Sequence, residues 1–325
     1  MRVLREGSGD IAVFVPFTRE WCIERFFDAF DASDVPFERC RLTVYVDHDD
    51  ADMLSRIERR ALATRCSEVV VHCSAWAPPK ELALSRERRG RHSAMRTASV
   101  GLIPDATYLL LLEDDTLIPP DTWELLSAGL EAGYDWVSGF EVGRWGAPCP
   151  GIWDLSKRGI RRSKDPGDGL EDCDATGVYL VLTTPEVYRA VRWDVWDNAY
   201  GHDVSITWLL KKAGYRVGVE WRAECIHITE TEDLTCDMWG PMQNVKPLST
   251  FKPTLIDYPN VKPLTAFPAH GPKRGRFIHE SDTEQKYRLG IDVVFDGKTY
   301  PKGSSVGHSL AVLMSEAGAI KARIT

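Results

Sequence analysis

No run of about 18 uninterrupted apolar residues occurs in this chain, which excludes an ordinary membrane-spanning helix. The longest apolar stretch, Tyr108 to Leu112, suits a buried strand instead. The first residues, MRVLREGSGD, lack the apolar core of a secretory signal, so a cytoplasmic location is expected. Cysteine is sparse: eight in 325 residues, none in a CxxC pair. That argues against a disulfide framework or a structural zinc cluster, and free, mostly buried thiols are expected. Positive charge is also short. With 40 Lys and Arg against 48 Asp and Glu the net charge is −8, which disfavours a sequence-independent grip on nucleic-acid phosphates. Local basic patches remain at 86–96, 158–164 and 273–276, where a solvated helical face is the simplest account. There is no GxxxxGK[ST], so the acidic strand 109–114 does not belong to a P-loop ATPase.

What is present is an ordinary globular composition, 43% hydrophobic and 27% charged, with length for one large α/β domain and an appendage. Short β-rich runs alternate with helical periodicity. Ile11 to Phe17 reads as a strand, followed by a helix with Trp21, Ile23, Phe26, Phe27 and Phe30 on one face. Arg41 to Val46 is a second strand, ending in Asp47, His48, Asp49 and Asp50; a helix near 53–63 and a third strand at 68–72 follow. A helix is expected over about 80–101. Thr107 to Leu112, the most strand-like run, leads into Glu113, Asp114 and Asp115. Asp121 and Glu124 form a capping box for a helix ending at Ala132, with Gly133 beyond it. Gly177 to Leu182 and Tyr215 to Val219 are further strands. A short helix starts at Pro185, and another runs over 203–213 before Gly214. Strands alternating with helices predict βαβ units and a mostly parallel sheet with ligands at the strands' carboxyl ends.

Seven of the 19 prolines lie between Pro241 and Pro272, where Asn-Val-Lys-Pro-Leu occurs twice. Frequent proline prevents helix and central strand, so an extended arm is expected. The expected organisation is a catalytic-type domain over 1–240, a Pro-rich arm over 241–275 and a small appendage over 276–325. In the appendage Asp296-Gly297 signals a hairpin, and 309–319 suits a terminal helix.

Three adjacent acids on one loop repel, and a hard divalent ion would compensate them while keeping positions open for phosphate oxygens. Read from the residues alone, Glu113 to Asp115 is either such a site or a solvated acidic loop. The wider pattern resembles a GT-A glycosyltransferase of the broad family 2 type. The matching pieces, in family order over about 10–230, are VPF, VDHDD, HSAMRTA, LLLLEDDTLIPP, CDATGVYLVL, GHDVSITWLLKKAGYRV and CIHIT.

That resemblance implies a GT-A (Rossmann-like) α/β fold, a mostly parallel sheet flanked by helices. It also implies metal-dependent transfer of a sugar from a UDP- or GDP-sugar to an acceptor hydroxyl. Asp115 matches the metal-binding last acid of the family's Asp-x-Asp motif. Glu113 stands where the first acid approaches the donor ribose or a metal-bound water, as a secondary ligand, and Asp114 lies beside the donor diphosphate. His227 matches a histidine completing the metal site, which favours Mn2+ somewhat over Mg2+. Asp47 matches a nucleobase-contacting acid; Pro16, Phe17 and Thr18 match the loop along the base; Arg96 matches a basic residue facing the nucleotide. Asp203 matches the base of inverting relatives, where the family's usual Glu-Asp is His202-Asp203 here, leaving the part of His202 open. An acceptor surface is expected along Trp145 to Trp153. The acceptor class stays open between glycan, protein, lipid-linked sugar and a modified DNA base, and copies of the chain could associate through the Pro-rich arm. Two alternatives stand beside this: a catalytically inactive module of the same fold, and a sugar nucleotidyltransferase, whose Gly-rich loop after the first strand VPFTREW does not supply. An HD-type phosphohydrolase is disfavoured because His48-Asp49 follows a strand.

Overall fold

The computed structural model describes residues 1–46, 50–73, 96, 99–142, 151–155, 160–163, 166–191, 193, 195–196 and 201–235, and six short strands within 246–307. The chain forms two compact units, Met1–Lys262 and Pro263–Thr325.

In the first unit the elements begin β1 (Arg2–Arg5), β2 (Ile11–Phe17), α1 (Ile23–Ala32), β3 (Cys40–Val46), α2 (Ala51–Ala63) and β4 (Glu68–Cys73). They continue through β5 (Tyr108–Leu112), β6 (Thr116–Leu117), α3 (Thr122–Glu131) and β7 (Trp136–Phe140). Then come β8 (Ile152–Leu155), β9 (Ile160–Ser163), β10 (Leu170–Asp172), β11 (Ala175–Thr176), β12 (Leu180–Thr183) and α4 (Pro185–Arg189). The last are β13 (Val195–Trp196), α5 (Gly201–Lys212), β14 (Val217–Glu224), β15 (Ile226–Ile228) and β16 (Asp233–Leu234).

The main sheet has the order β1-β4-β3-β2-β5-β12-β7-β14-β10. Strands β4, β3, β2 and β5 run parallel, β12 is inserted antiparallel between β5 and β7, and β7 pairs parallel with β14. Edge strands β1 and β10 are antiparallel. Six of the nine strands thus share one direction, so the expected α/β class with a mostly parallel, helix-flanked sheet holds.

Every residue of β2 is buried. Alternate side chains enter two cores: Ile11, Val13, Val15 and Phe17 on one face, Ala12 and Phe14 on the other. A central parallel strand covered on both faces needs this continuous apolar run. Helix α1 presents Ile23, Phe26, Phe27 and Phe30, the i, i+3, i+4, i+7 stripe, to the first core. Strand β2 hydrogen-bonds with β5 only over Ile11 to Phe14, so Pro16 falls where the missing N–H costs no ladder bond on that side.

Several boundaries differ from expectation for physical reasons. Helix α3 is not capped by Asp121, whose side chain makes no cap bond. Asp34, from the segment after α1, does this instead: its carboxylate accepts from the Trp123 N–H at 2.6 Å and the Glu124 N–H at 2.8 Å. Strand β7 was not expected, because Ser138 and Gly139 dilute its apolar character. Gly139 is required there, since a Cβ would stand 2.6 Å from the Ala223 carbonyl oxygen. Gly133 and Gly214 end α3 and α5 at φ +86° and +95°, as their C-terminal placement predicts.

Within the Pro-rich stretch, β17 (Lys246–Pro247) pairs with β9 and β18 (Thr254–Leu255) with β13, inside the first unit. In the second unit β19 (Lys286–Arg288) pairs with β22 (Ser305–Gly307). Strands β20 (Val293–Phe295) and β21 (Lys298–Tyr300) pair antiparallel on either side of Asp296-Gly297, where a turn is expected and which lie outside the described residues. Helices expected over about 80–101 and 309–319 fall essentially outside the described residues.

Candidate active site

The carboxyl ends of β2, β5 and β7 meet at one end of the sheet, and each delivers charged side chains. A small sheet, β16-β15-β6, joins them. Because β15 pairs His227 with Thr116, the histidine lies beside the acids that precede β6, although 112 residues separate His227 from Asp115. The Ile228 N–H donates to the Asp115 carbonyl oxygen at 2.9 Å and locks that register.

The three acids have different surroundings. Asp114 is committed to the loop after β2: its Oδ2 accepts from the Thr18 N–H at 2.6 Å, the Arg19 N–H at 3.0 Å and the Thr18 hydroxyl at 3.3 Å, and Arg19 Nη1 bonds its Oδ1. Asp115 is 1% exposed, and its Oδ2 lies 3.2 Å from both Arg19 Nη1 and His227 Nε2. Glu113, with 17% of its side chain exposed, is the most open of the three. Its Oε1 accepts from Arg96 Nη2 at 3.3 Å. Burial pushes the Glu113 carboxyl up to about 7; Arg96 opposes this, and the charges of Asp203 and Asp115 add to the rise.

Arg96 is 0% exposed and lies behind Glu113, with Nη2 also donating to the Val178 carbonyl oxygen at 3.0 Å and its guanidinium 5.7 Å from the Phe14 ring. Tyr188 and Ser99 fix that segment, each hydroxyl reaching the Arg96 carbonyl oxygen, at 3.2 Å and 2.6 Å. Sequence reasoning turned Arg96 towards the nucleotide; in the structure it meets Glu113 from inside the fold. Phe17 differs in the same way. Its ring is buried, 5.1 Å from Phe26 and 5.5 Å from Phe27, so it supplies core packing and not a surface for a base. Pro16 is buried within β2, and Thr18 is spent largely on Asp114.

Asp203 lies in the first turn of α5, which begins at Gly201, so it sits inside the helix and not at a cap before it. The helix dipole favours its ionised form there too, because the field of the unsatisfied N–H groups extends over that turn. Thr207 ties this turn to β11: its hydroxyl donates to the Asp203 carbonyl oxygen at 2.9 Å and accepts from the Thr176 N–H at 3.1 Å. Asp203 is close enough for its charge to act on Glu113. Asp47 and the side chain of His202 lie outside the described residues, as does most of the stretch from Trp145 to Trp153.

Two site residues were missed by sequence reasoning. Arg19 neutralises Asp114 and Asp115 together. Its signal is a cation two residues past a buried strand whose neighbouring strand ends in acids. Glu141, 6% exposed, follows β7; its Oε2 accepts from the Thr116 hydroxyl at 2.8 Å, and its Oε1 stands 3.4 Å from His227 Nδ1. Burial pushes Glu141 up to about 8, against the pull of His227 and with the push of Asp115 and Glu113. The missed strand hid it.

As donors for a metal, His227 Nε2 and Asp115 Oδ2 are the pair that converge. Two ligands of one divalent ion, each about 2.1 Å away at a right angle, lie about 3 Å apart, so a 3.2 Å separation fits. Among the described residues no group of three His, Cys, Asp or Glu side chains is placed to hold an ion, so this is an open two-donor arrangement and not a cage.

No family model matches the chain, and no curated protein matches it. Solved structures that resemble it include A197 from STIV, with TM-score 0.42 and 10% identity over 72% of this chain and 98% of that one. Another is the mannosyltransferase PcManGT from Pyrobaculum calidifontis, solved with GDP-Man and Mn2+, with TM-score 0.43 and 14% identity over 69% of this chain. The chain spans 59% of the length of that mannosyltransferase.

Proposed function

We propose that the protein is a glycosyltransferase of the GT-A type, taking a sugar from a UDP- or GDP-sugar to an acceptor hydroxyl with inversion. The observation that carries this reading is the convergence of Asp115 and His227, 112 residues apart, with Glu113 open beside them and Asp203 within electrostatic reach of Glu113.

In this reading Asp115 and His227 hold a divalent ion, Mn2+ or Mg2+, which supplies positive charge to the departing diphosphate. Arg19 sits beside the same carboxylates and adds fixed positive charge. Glu113 orients the donor, itself held by Arg96 from behind. Asp203 accepts the proton of the acceptor hydroxyl as that oxygen bonds to the anomeric carbon and the bond from that carbon to the diphosphate breaks. Its place in the first helical turn favours the ionised carboxylate that a base must be. Asp47, as the base contact, and His202, beside Asp203 in the sequence, complete the proposed set.

One observation favours a second reading, a binding module that no longer catalyses: Arg19 already compensates Asp114 and Asp115, as an ion would. Thermal melting separates the two. A ligand that binds the folded state at 100 times its Kd stabilises it by about 2.7 kcal/mol. The transferase reading expects UDP or GDP to raise the melting temperature in the presence of Mn2+ and to do so less with a chelator. No shift with either nucleotide, with or without Mn2+, would rule it out.

A further inference from the structure

The structure assigns Glu141 as a positioning residue for His227; this rests on the reading that His227 and Asp115 share a divalent ion.

His227 Nδ1 stands 3.0 Å from the Val142 carbonyl oxygen, a group that can only accept, and 3.4 Å from Glu141 Oε1. Nδ1 therefore carries the proton. In the neutral ring the lone pair is left on Nε2, which lies 3.2 Å from Asp115 Oδ2. A lone pair and a carboxylate oxygen facing each other at that distance repel, so the contact favours positive charge beside it, and Arg19 Nη1 already stands 3.2 Å from the same Oδ2. The side of the ring facing β7 thus decides what the other side can bind, as an outer hydrogen bond does for a metal-bound histidine.

Glu141 is held for that task. The Thr116 hydroxyl donates to its Oε2 at 2.8 Å, and its carbonyl oxygen accepts from the Gly151 N–H at 3.0 Å. Thr116 also follows Asp115 directly and pairs with His227 across β6 and β15. One short stretch of backbone therefore sets the acid, the histidine and the acceptor behind the histidine. Oε1 faces Nδ1 at 3.4 Å beside the Val142 carbonyl oxygen that takes the hydrogen bond, and a glutamine oxygen can fill the same place.

Two measurements test this. In the metal-free protein, nitrogen NMR of labelled histidine, with His227 identified by its loss in His227→Asn, should show a proton on Nδ1 throughout the pH range. A neutral ring protonated on Nε2 alone would overturn the inference. Mn2+ binding, followed by the loss of the free-ion paramagnetic resonance signal, should weaken by about tenfold or more in Glu141→Leu and stay within about threefold of wild type in Glu141→Gln. Wild-type affinity in a folded Glu141→Leu, or equal losses in both variants, would refute it. Should Glu141→Leu fail to fold, Thr116→Val, which releases Oε2, replaces it with a smaller expected loss. Failure of Mn2+ to bind wild type defeats the metal reading; the tautomer measurement repeated in Glu141→Leu then decides the role of Glu141, since an Nε2-protonated fraction appearing in that variant supports it and an unchanged ring refutes it.

Discussion

Arg19 closes on Asp114 while the backbone N–H groups of Thr18 and Arg19 donate to the same carboxylate. This makes the middle acid of the trio the one that holds the loop after β2 against the end of β5. Asp114→Ala would leave two backbone donors without their acceptor in a buried place and take from Arg19 the closer of its two carboxylates. The expected loss is about 3 kcal/mol, or a melting temperature lower by about 6–12 °C. Asp115→Ala should cost less than half of that. A melting comparison of the two variants checks it, and equal losses would contradict the division of labour.

The trans cap of α3 makes a second, independent prediction. Asp34→Ala removes the acceptor of the Trp123 and Glu124 N–H groups and should cost about 1–2 kcal/mol, while Asp121→Ala, which removes no cap bond, should cost under about 0.5 kcal/mol. Chemical denaturation of both variants reads the difference. The reverse order would restore the local capping box.

Stability should fall as pH rises through the neutral range. Glu113 is pushed up to about 7 and Glu141 to about 8, both above the ordinary 4.5, so between pH 4.5 and 8 the folded protein binds more protons than the unfolded chain. The contribution is fully present below the unfolded value and is lost as pH climbs through the folded values. Glu141→Gln removes one of these titrations. Its stability should gain on wild type as pH rises from 5 to 8.5, by up to about 4 kcal/mol across that range, read as a melting temperature that rises relative to wild type. A constant difference across that range would contradict the raised carboxyl.

How far the sequence reached follows from these elements. Ile11–Phe17 was legible as a strand because a central parallel strand needs unbroken apolar residues, and α1 because its stripe has a clear helical period. Strand β7 was not, since its small residues serve close packing against Ala223 and Leu180, which no local pattern announces. The loss of β7 took Glu141 with it. The acids of 113–115 stood out from their place at a strand end, yet their separate roles come from partners far away in the chain: Arg19 and Thr18 for Asp114, His227 for Asp115, Arg96 for Glu113. The burial of Phe17 and Arg96 was hidden for a related reason. A residue's position along a motif does not say which side of the sheet it enters.

The most direct measurement of the central claim is release of nucleoside diphosphate from a panel of UDP- and GDP-sugars with Mn2+, comparing wild type, Asp115→Ala and Asp203→Asn. Wild type should release nucleoside diphosphate from at least one donor in a metal-dependent way. Each variant should lose about a hundredfold or more of that release while remaining folded. Equal release by all three proteins, or none by wild type from any donor, would contradict it.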